Sequence, residues 1–492
     1  MKIKEIEMGR LVVVSNRTGD LGKKTQTGGL AVGIGDALKS SGGMWMGWNG
    51  DVVDSPDSSN TQLETYENVT SLTISLSVEE HENYYLGFAN KVLWPSFHYR
   101  LDLMDYRTKF AKCYAAVNRK FANTLHPHLR DSDLIWVHDY HLIPLASELR
   151  RKGSAHRIGF FLHVPFPSVD VFSAVPRHGW LRECLLQYDL IGFQTKNDVQ
   201  NFCSYLKEHS EVKFLAPNLI KWRGRTISIG DFPIGIDVGQ FSAMSHVSDK
   251  GIELERVRRS LLKRFQIISA DRLDYSKGLP ERMKAFRKFL DSYPEYLGRA
   301  EYLQIASPSR EDVSAYADIR SELEQMTGAV NGKYADFNWA PIQYINQSIP
   351  REKLALLFRC SLIGLITPLR DGMNLVAKEY IAAQDPEDPG ILILSKFAGA
   401  AEELGDALIV NPYDTNEVAQ AIRKAATMPM EERKARHRTL LSQISDQDAQ
   451  QWQNEYLAAL RSVQATVPRS APPSLPNWNE GQGGVAMPGS RH

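Results

Sequence analysis

Residues 365–379 read LITPLRDGMNLVAKE. An apolar run ends at Thr367-Pro368, the chain turns at Asp371-Gly372, and a helical pattern starts near Asn374. Strand, turn and helix in that order form half of a βαβ unit, from which parallel sheets are built. The reading repeats on either side. A first series of short apolar runs comprises LVVVSN (11–16), LIWVHD (134–139), IGFFLHV (158–164), LIGFQT (190–195) and TISIGDFPIGI (226–236). A second comprises FQIISADRL (265–273), YLQIAS (302–307), LIGLITPL (362–369), GILILS (390–395) and ALIVNP (407–412). Amphipathic segments lie between them, at 107–125, 197–208, 278–290 and 312–326. Apolar strands alternating with helices of that length imply parallel sheets covered on both faces.

The expected fold class is therefore α/β, with two Rossmann-like, doubly wound domains at 1–240 and 241–465. The polar, aperiodic stretch 238–250 is expected to join them. Residues 430–465 read as helices rich in charge and glutamine, the last of which should pack back on the N-terminal domain. Residues 466–492 hold five Pro and four Gly with almost no apolar period, and read as a disordered tail.

Composition narrows the function. The 492 residues are 43% apolar and 24% charged, the balance of an ordinary globular protein. Lys plus Arg and Asp plus Glu both number 58, and this zero net charge argues against nucleic acid or an anionic membrane as partner. The four cysteines form no Cys-x-x-Cys pair, so neither a disulfide framework nor a zinc knuckle is expected. No run approaches 18 apolar residues and no signal peptide is evident, which places the expectation in the cytoplasm.

In open α/β sheets ligands bind beyond the carboxyl ends of the strands, where helix N-termini also point. The first strand ends Ser15-Asn16-Arg17, and Gly28-Gly29 opens a helix at 31–40. A glycine pair there suits close approach of a phosphate, or is plain structure. Residues 84–100 (YYLGFANKVLWPSFHYR) pack six aromatics into seventeen positions, either as a sugar-stacking wall or as core. His138-Asp139-Tyr140-His141 and His163 follow strands and read as cleft hydrogen-bonding groups; a zinc site would need further convergent ligands. Asp131-Ser132-Asp133 precedes its strand and reads as a turn. Arg272 and Lys277, between a strand and a helix, suit a diphosphate clamp, one bidentate and one a point charge. Arg310 is another strand-end arginine. Seven residues separate Asp371 from Glu379, so one carboxylate should sit at the loop and the other two turns into the helix, meeting different parts of an extended ligand.

The phrases SNR, GGLAVG, VLWPSFHYRLDL, WVHDYHLIP, GFFLHVPFPS, FPIGID, DRLDYSKGLPER, VNGKY and TPLRDGMNLVAKEYIAAQ closely resemble the trehalose-6-phosphate synthase family, from about residue 10 to 460. The resemblance implies a retaining transferase of the two-Rossmann GT-B type, moving glucose from UDP-glucose to glucose 6-phosphate to give α,α-trehalose 6-phosphate. It implies that Arg17, Tyr85, Trp94, Asp139 and Arg310 bind the acceptor. Gly28 and Gly29 would approach the donor diphosphate and Arg272 and Lys277 neutralise it, while His163 and Asp371 meet the donor glucose. Ile349, Gly372, Met373, Asn374, Leu375, Val376, Ala377, Lys378 and Glu379 would hold the rest of the donor, Glu379 on the ribose. No metal or other cofactor enters this scheme. The loop after Arg17 departs from the family by beginning Thr-Gly-Asp, without proline. The phosphatase motif Asp-x-Asp-x-Thr is missing, so a separate phosphatase is expected to act on the product.

Two rivals have other outcomes. A sister transferase would use glycerol 3-phosphate as acceptor, and a sugar-phosphate-sensing relative would have lost Arg272, Lys277, Asp371 or Glu379, all present here. Donor base, homo-oligomeric state and regulation leave no trace in these residues.

Overall fold

The computed structural model describes residues 9–19, 35, 38, 42–54, 61–247, 264–309 and 314–463. Gly28, Gly29 and Arg310 lie outside the described residues, as do the tail and most of the helix expected at 31–40.

The N-terminal half supplies strands β1 (Leu11–Arg17), β2 (Gly43–Val53), β3 (Gln62–Tyr66), β4 (Val69–Ser77), β5 (Leu134–His138), β6 (Arg157–Phe161), β7 (Leu190–Phe193), β8 (Val212–Ala216), β9 (Leu219–Trp222) and β10 (Arg225–Asp231). They form one sheet in the order β3-β4-β2-β1-β5-β6-β7-β10-β9-β8. Its β4-to-β10 core is parallel, and β3, β9 and β8 pair antiparallel at its edges. The second half supplies β11 (Phe265–Arg272), β12 (Ala300–Ser307), β13 (Ile342–Ile345), β14 (Ile363–Ile366), β15 (Ile391–Ser395) and β16 (Leu408–Val410). These make an all-parallel sheet in the order β13-β12-β11-β14-β15-β16. β1, β5, β11 and β14 are buried almost throughout, as strands covered on both faces must be. The α/β, two-Rossmann expectation holds.

Strand order locates the ligand crevice. In the first sheet the winding reverses between β1 and β5, and in the second between β11 and β14. Crossover connections leave from opposite faces at such a point, opening a gap at the carboxyl ends. Arg17 ends β1, His138 ends β5, Arg272 ends β11, and the Thr367–Gly372 turn follows β14.

The stretch expected to be an aperiodic join is instead a helix at Val238–Val247, packed through Phe241 against Phe358. Its apolar residues Phe241 and Met244 are three apart and share a face, a signal hidden by the serines around them. The last described helix, Ala449–Ser462, lies on the first sheet. Tyr456 Oη donates to Phe160 O at 3.0 Å and its ring stacks on Trp136. Gly159 and Gly192 make room: a Cβ at either would come 2.4 and 2.6 Å from Tyr456. Elsewhere the halves meet through Arg370 over the Tyr99 ring (3.8 Å) and through Glu402, which accepts from Lys196 N and Asn197 N at the start of the helix Lys196–Lys207. No helix among the described residues is long and apolar enough to cross a membrane.

Candidate active site

A cavity of about 690 Å³ lies between the two sheets, at both reversal points. Of the residues singled out in the sequence, Arg17, Tyr85, Trp94, Asp139, His163, Arg272, Lys277, Ile349, Asp371, Met373, Asn374, Leu375, Val376 and Glu379 line it together.

At the N-terminal wall, Arg17 is exposed and its guanidinium lies 5.0 Å over Trp48. A Cβ at Gly50 (φ +100°) would meet that guanidinium at 2.1 Å, so the glycine clears its path. Trp48 meets Tyr85 edge-on at 5.5 Å, and Tyr85 stacks on His141 at 5.9 Å. A cation backed by a rigid aromatic wall suits a phosphorylated sugar. The aromatic run 84–100 divides between its two readings. Tyr85 and Trp94 face the cavity, whereas Tyr84, Phe88 and Phe97 are core. The segment His81–Leu93 is a π-helix, whose wider turn separates these positions in a way an α-helical period does not anticipate. Asp139 has φ 73° and ψ 166°, a backbone strained for a non-glycine residue, and its Oδ1 accepts from His163 N at 3.2 Å.

At the opposite wall, Arg272 is exposed and lies 5.8 Å from the Trp94 ring, across the domain gap. Lys277 Nζ donates to Asp371 Oδ2 at 2.5 Å, and Asn374 Nδ2 donates to the same oxygen at 3.0 Å. Burial pushes the Asp371 carboxyl up, but Lys277 overrides it and holds the carboxyl below its ordinary value. Gly278 (φ +66°) turns the chain from Lys277 into the helix Leu279–Ser292; a Cβ there would strike Thr367 O at 2.6 Å. Asn374, left-handed at φ 73°, caps the helix Leu375–Ala383 by accepting from Ala377 N. That helix start opens on the cavity and favours a diphosphate.

Four residues of this segment sit otherwise than expected. Glu379 stands just over one turn into the helix, because Leu375 is its first residue. Lys378 does not line the cavity: it is fully buried, ion-paired to Glu403 at 2.6 Å and donating to Ile234 O at 2.9 Å. Ala377 is likewise enclosed in core, and Gly372 packs where a Cβ would come 2.0 Å from His163 O, serving domain contact. At 100° per residue, Leu375, Val376 and Glu379 share a face that Ala377 and Lys378 do not.

The sequence reading missed Arg351, His98 and Gln194, all at the cavity. Arg351 Nη2 lies 3.2 Å from Glu379 Oε1. Burial raises the Glu379 carboxyl above its ordinary value, and Arg351 only partly offsets this. His98 bonds Trp94 O through Nδ1 at 2.7 Å and is pushed down to about 4 by burial. His163 is pushed down to about 3 by burial, so both rings are neutral near pH 7. Two signals were available: Arg351 opens a helix after Ile349, and Gln194 follows a strand as His163 does. Among the described residues no group of three or more His, Cys, Asp or Glu is placed to hold a metal ion.

The chain as a whole has counterparts in known proteins. The family model for glycosyltransferase family 20 matches residues 8–462. A trehalose-6-phosphate synthase of Enterobacter sp. (strain 638) is 46% identical over 469 residues, covering 95% of this chain and 98% of the relative. An α,α-trehalose-phosphate synthase (UDP-forming) from Burkholderia xenovorans, in complex with glucose-6-phosphate, is 45% identical with a TM-score of 0.88, covering 92% of this chain and 100% of that one. An E. coli structure bound with UDP-2-fluoro glucose is also 45% identical with a TM-score of 0.88, covering 93% of this chain and 100% of that one. Matched over nearly its whole length in sequence and in fold, the chain belongs to glycosyltransferase family 20.

Proposed function

We propose that this chain transfers glucose from UDP-glucose to glucose 6-phosphate with retention, forming α,α-trehalose 6-phosphate and UDP. One observation carries the reading: a single cavity has a cation-and-aromatic wall at one reversal point, and a cationic pair, a helix start and two spaced carboxylates at the other. The first wall suits a sugar phosphate and the second a nucleotide sugar. The relatives bound to glucose-6-phosphate and to UDP-2-fluoro glucose support this pair of substrates.

In this scheme Arg17, Tyr85, Trp94 and Asp139 hold the acceptor with its anomeric hydroxyl toward the donor. Arg272 and Lys277 stabilise the charge that builds on the departing diphosphate, and the first amides of the helix Leu375–Ala383 add to them. The acceptor oxygen bonds to the donor anomeric carbon as its bond to the phosphate oxygen breaks. The acceptor proton passes to that leaving oxygen, on the same face. Asp371 binds hydroxyls of the donor glucose, and Glu379, steadied by Arg351, accepts from the ribose. Orientation in a closed cleft supplies much of the remaining rate. No metal takes part in this scheme. Proton NMR of the purified product tests the stereochemistry: two α-anomeric signals are expected, and a β-anomeric coupling would overturn retention.

A further inference from the structure

The His163 ring is held at both nitrogens by groups that the transfer scheme leaves unused. Gln194 Nε2 lies 3.3 Å from His163 Nδ1, and His138 Nδ1 lies 3.0 Å from His163 Nε2. An imidazole contact alone does not say which partner donates. Here the ambiguity is removed from outside the ring. Gln194 Oε1 accepts from the backbone Ile234 N–H at 3.0 Å, and a peptide N–H can only donate. The oxygen of that amide therefore faces Ile234, and its NH₂ faces His163. An NH₂ group can only donate, so His163 Nδ1 must carry a lone pair. The proton of the neutral ring then sits on Nε2, pointing to His138 Nδ1, which accepts.

We propose that Gln194 is a positioning residue that fixes the neutral, Nε2-protonated tautomer of His163, making that ring a hydrogen-bond donor to the donor sugar and never a proton acceptor. The Nε2–H points to His138, and a sugar hydroxyl in the cavity would share it. The burial of His163 and His138, which opposes charge on either ring, agrees with this. The arrangement also suits retention in which leaving phosphate, not a histidine, takes the acceptor proton. It ties the ring to the second domain as well: Ile234 O accepts from Lys378 Nζ, on the helix that bears Glu379. The far side of the chain is closed by Lys378 pairing with Glu403. Lys378 thus serves the site indirectly, through the residue whose backbone N–H orients Gln194.

The assignment of His163 to the donor sugar rests on the transferase reading above, but its tautomer can be measured without turnover. The full chain labelled with ¹⁵N-histidine gives long-range ¹H–¹⁵N correlations that distinguish the tautomers, with the His163 ring identified by its loss in His163→Ala. The expected wild-type pattern is Nε2–H at pH 7 to 8, and Nδ1–H in the wild type would overturn the proposal outright. In Gln194→Glu the side chain still accepts from Ile234 but now accepts at His163 as well, so Nδ1 should gain a proton; an unchanged ring would also overturn it. Gln194→Met should lower kcat by on the order of tenfold while UDP affinity stays within about twofold. Equal loss of turnover and UDP affinity would mark a merely structural role. Failure of the transferase reading would appear separately, as a wild type that turns over nothing while its ring pattern stands.

Discussion

Lys277 Nζ and Asp371 Oδ2 lie 2.5 Å apart, bridging the loop after β11 and the loop after β14 across the second reversal point. The cation proposed for the diphosphate and the carboxylate proposed for the sugar therefore satisfy one another. In the proposed scheme a donor that engages Lys277 would free Asp371 for hydroxyls, so that the two halves of UDP-glucose would be recognised together. Asp371→Asn should accordingly cut kcat by about a hundredfold or more while UDP alone binds as well as before or better, since Lys277 is released. Isothermal titration with UDP checks this; a loss of UDP affinity contradicts the coupling.

Arg272 is exposed in the cavity and contacts the Trp94 ring face, with no role in either core. Arg272→Ala should lower turnover by about 10²- to 10³-fold, the cost of removing one preorganised donor to developing charge, with the thermal midpoint unchanged. Because charge is neutralised by side chains in this account, turnover in EDTA should equal turnover with added Mg²⁺. Near-normal rates in the variant, or loss of activity in EDTA, contradict the clamp.

Arg17 sits at the other wall, its guanidinium stacked on Trp48. Arg17→Ala should raise the KM for glucose 6-phosphate by roughly 10- to 100-fold, as for a lost charge-assisted bond of about 1.5–3 kcal/mol, and leave the UDP-glucose KM unchanged. Equal rises for both substrates contradict the division of the cavity.

Protonation sets a pH dependence of stability. Burial pushes His98 down to about 4 and His163 to about 3, against about 6.5 for an unfolded histidine. Between pH 6.5 and 4 the unfolded chain takes up protons that the folded chain refuses. Stability is therefore full above about 6.5 and falls with decreasing pH, by about 1.4 kcal/mol per unit for each such histidine. His98→Gln should make the curve shallower across this window, as read by urea unfolding at pH 6.5, 5.5 and 4.5. Parallel curves contradict the assignment.

Much of this was legible in the sequence, for a physical reason. Parallel strands buried on both faces must be apolar throughout, so β1, β5, β11 and β14 announce themselves, and the polar residues that end them fall at the crevice. β4 was not legible: VTSLTISLS alternates Ser and Thr with apolar residues and reads as no continuous run. Ala377 and Lys378 adjoin cavity-lining residues in the motif, but the turn of the helix carries their side chains away from the cavity. Arg351 and Gln194 escaped notice because their partners, Glu379 and His163, are brought near by the fold and stand at no motif spacing.

The measurement that bears most directly on the central claim is UDP release by the purified protein with UDP-glucose, comparing glucose 6-phosphate, glycerol 3-phosphate and no acceptor, with the product weighed by mass spectrometry. The account predicts strong release with glucose 6-phosphate alone and the mass of a disaccharide phosphate. Release with glycerol 3-phosphate in preference, or silence with every acceptor, would contradict it.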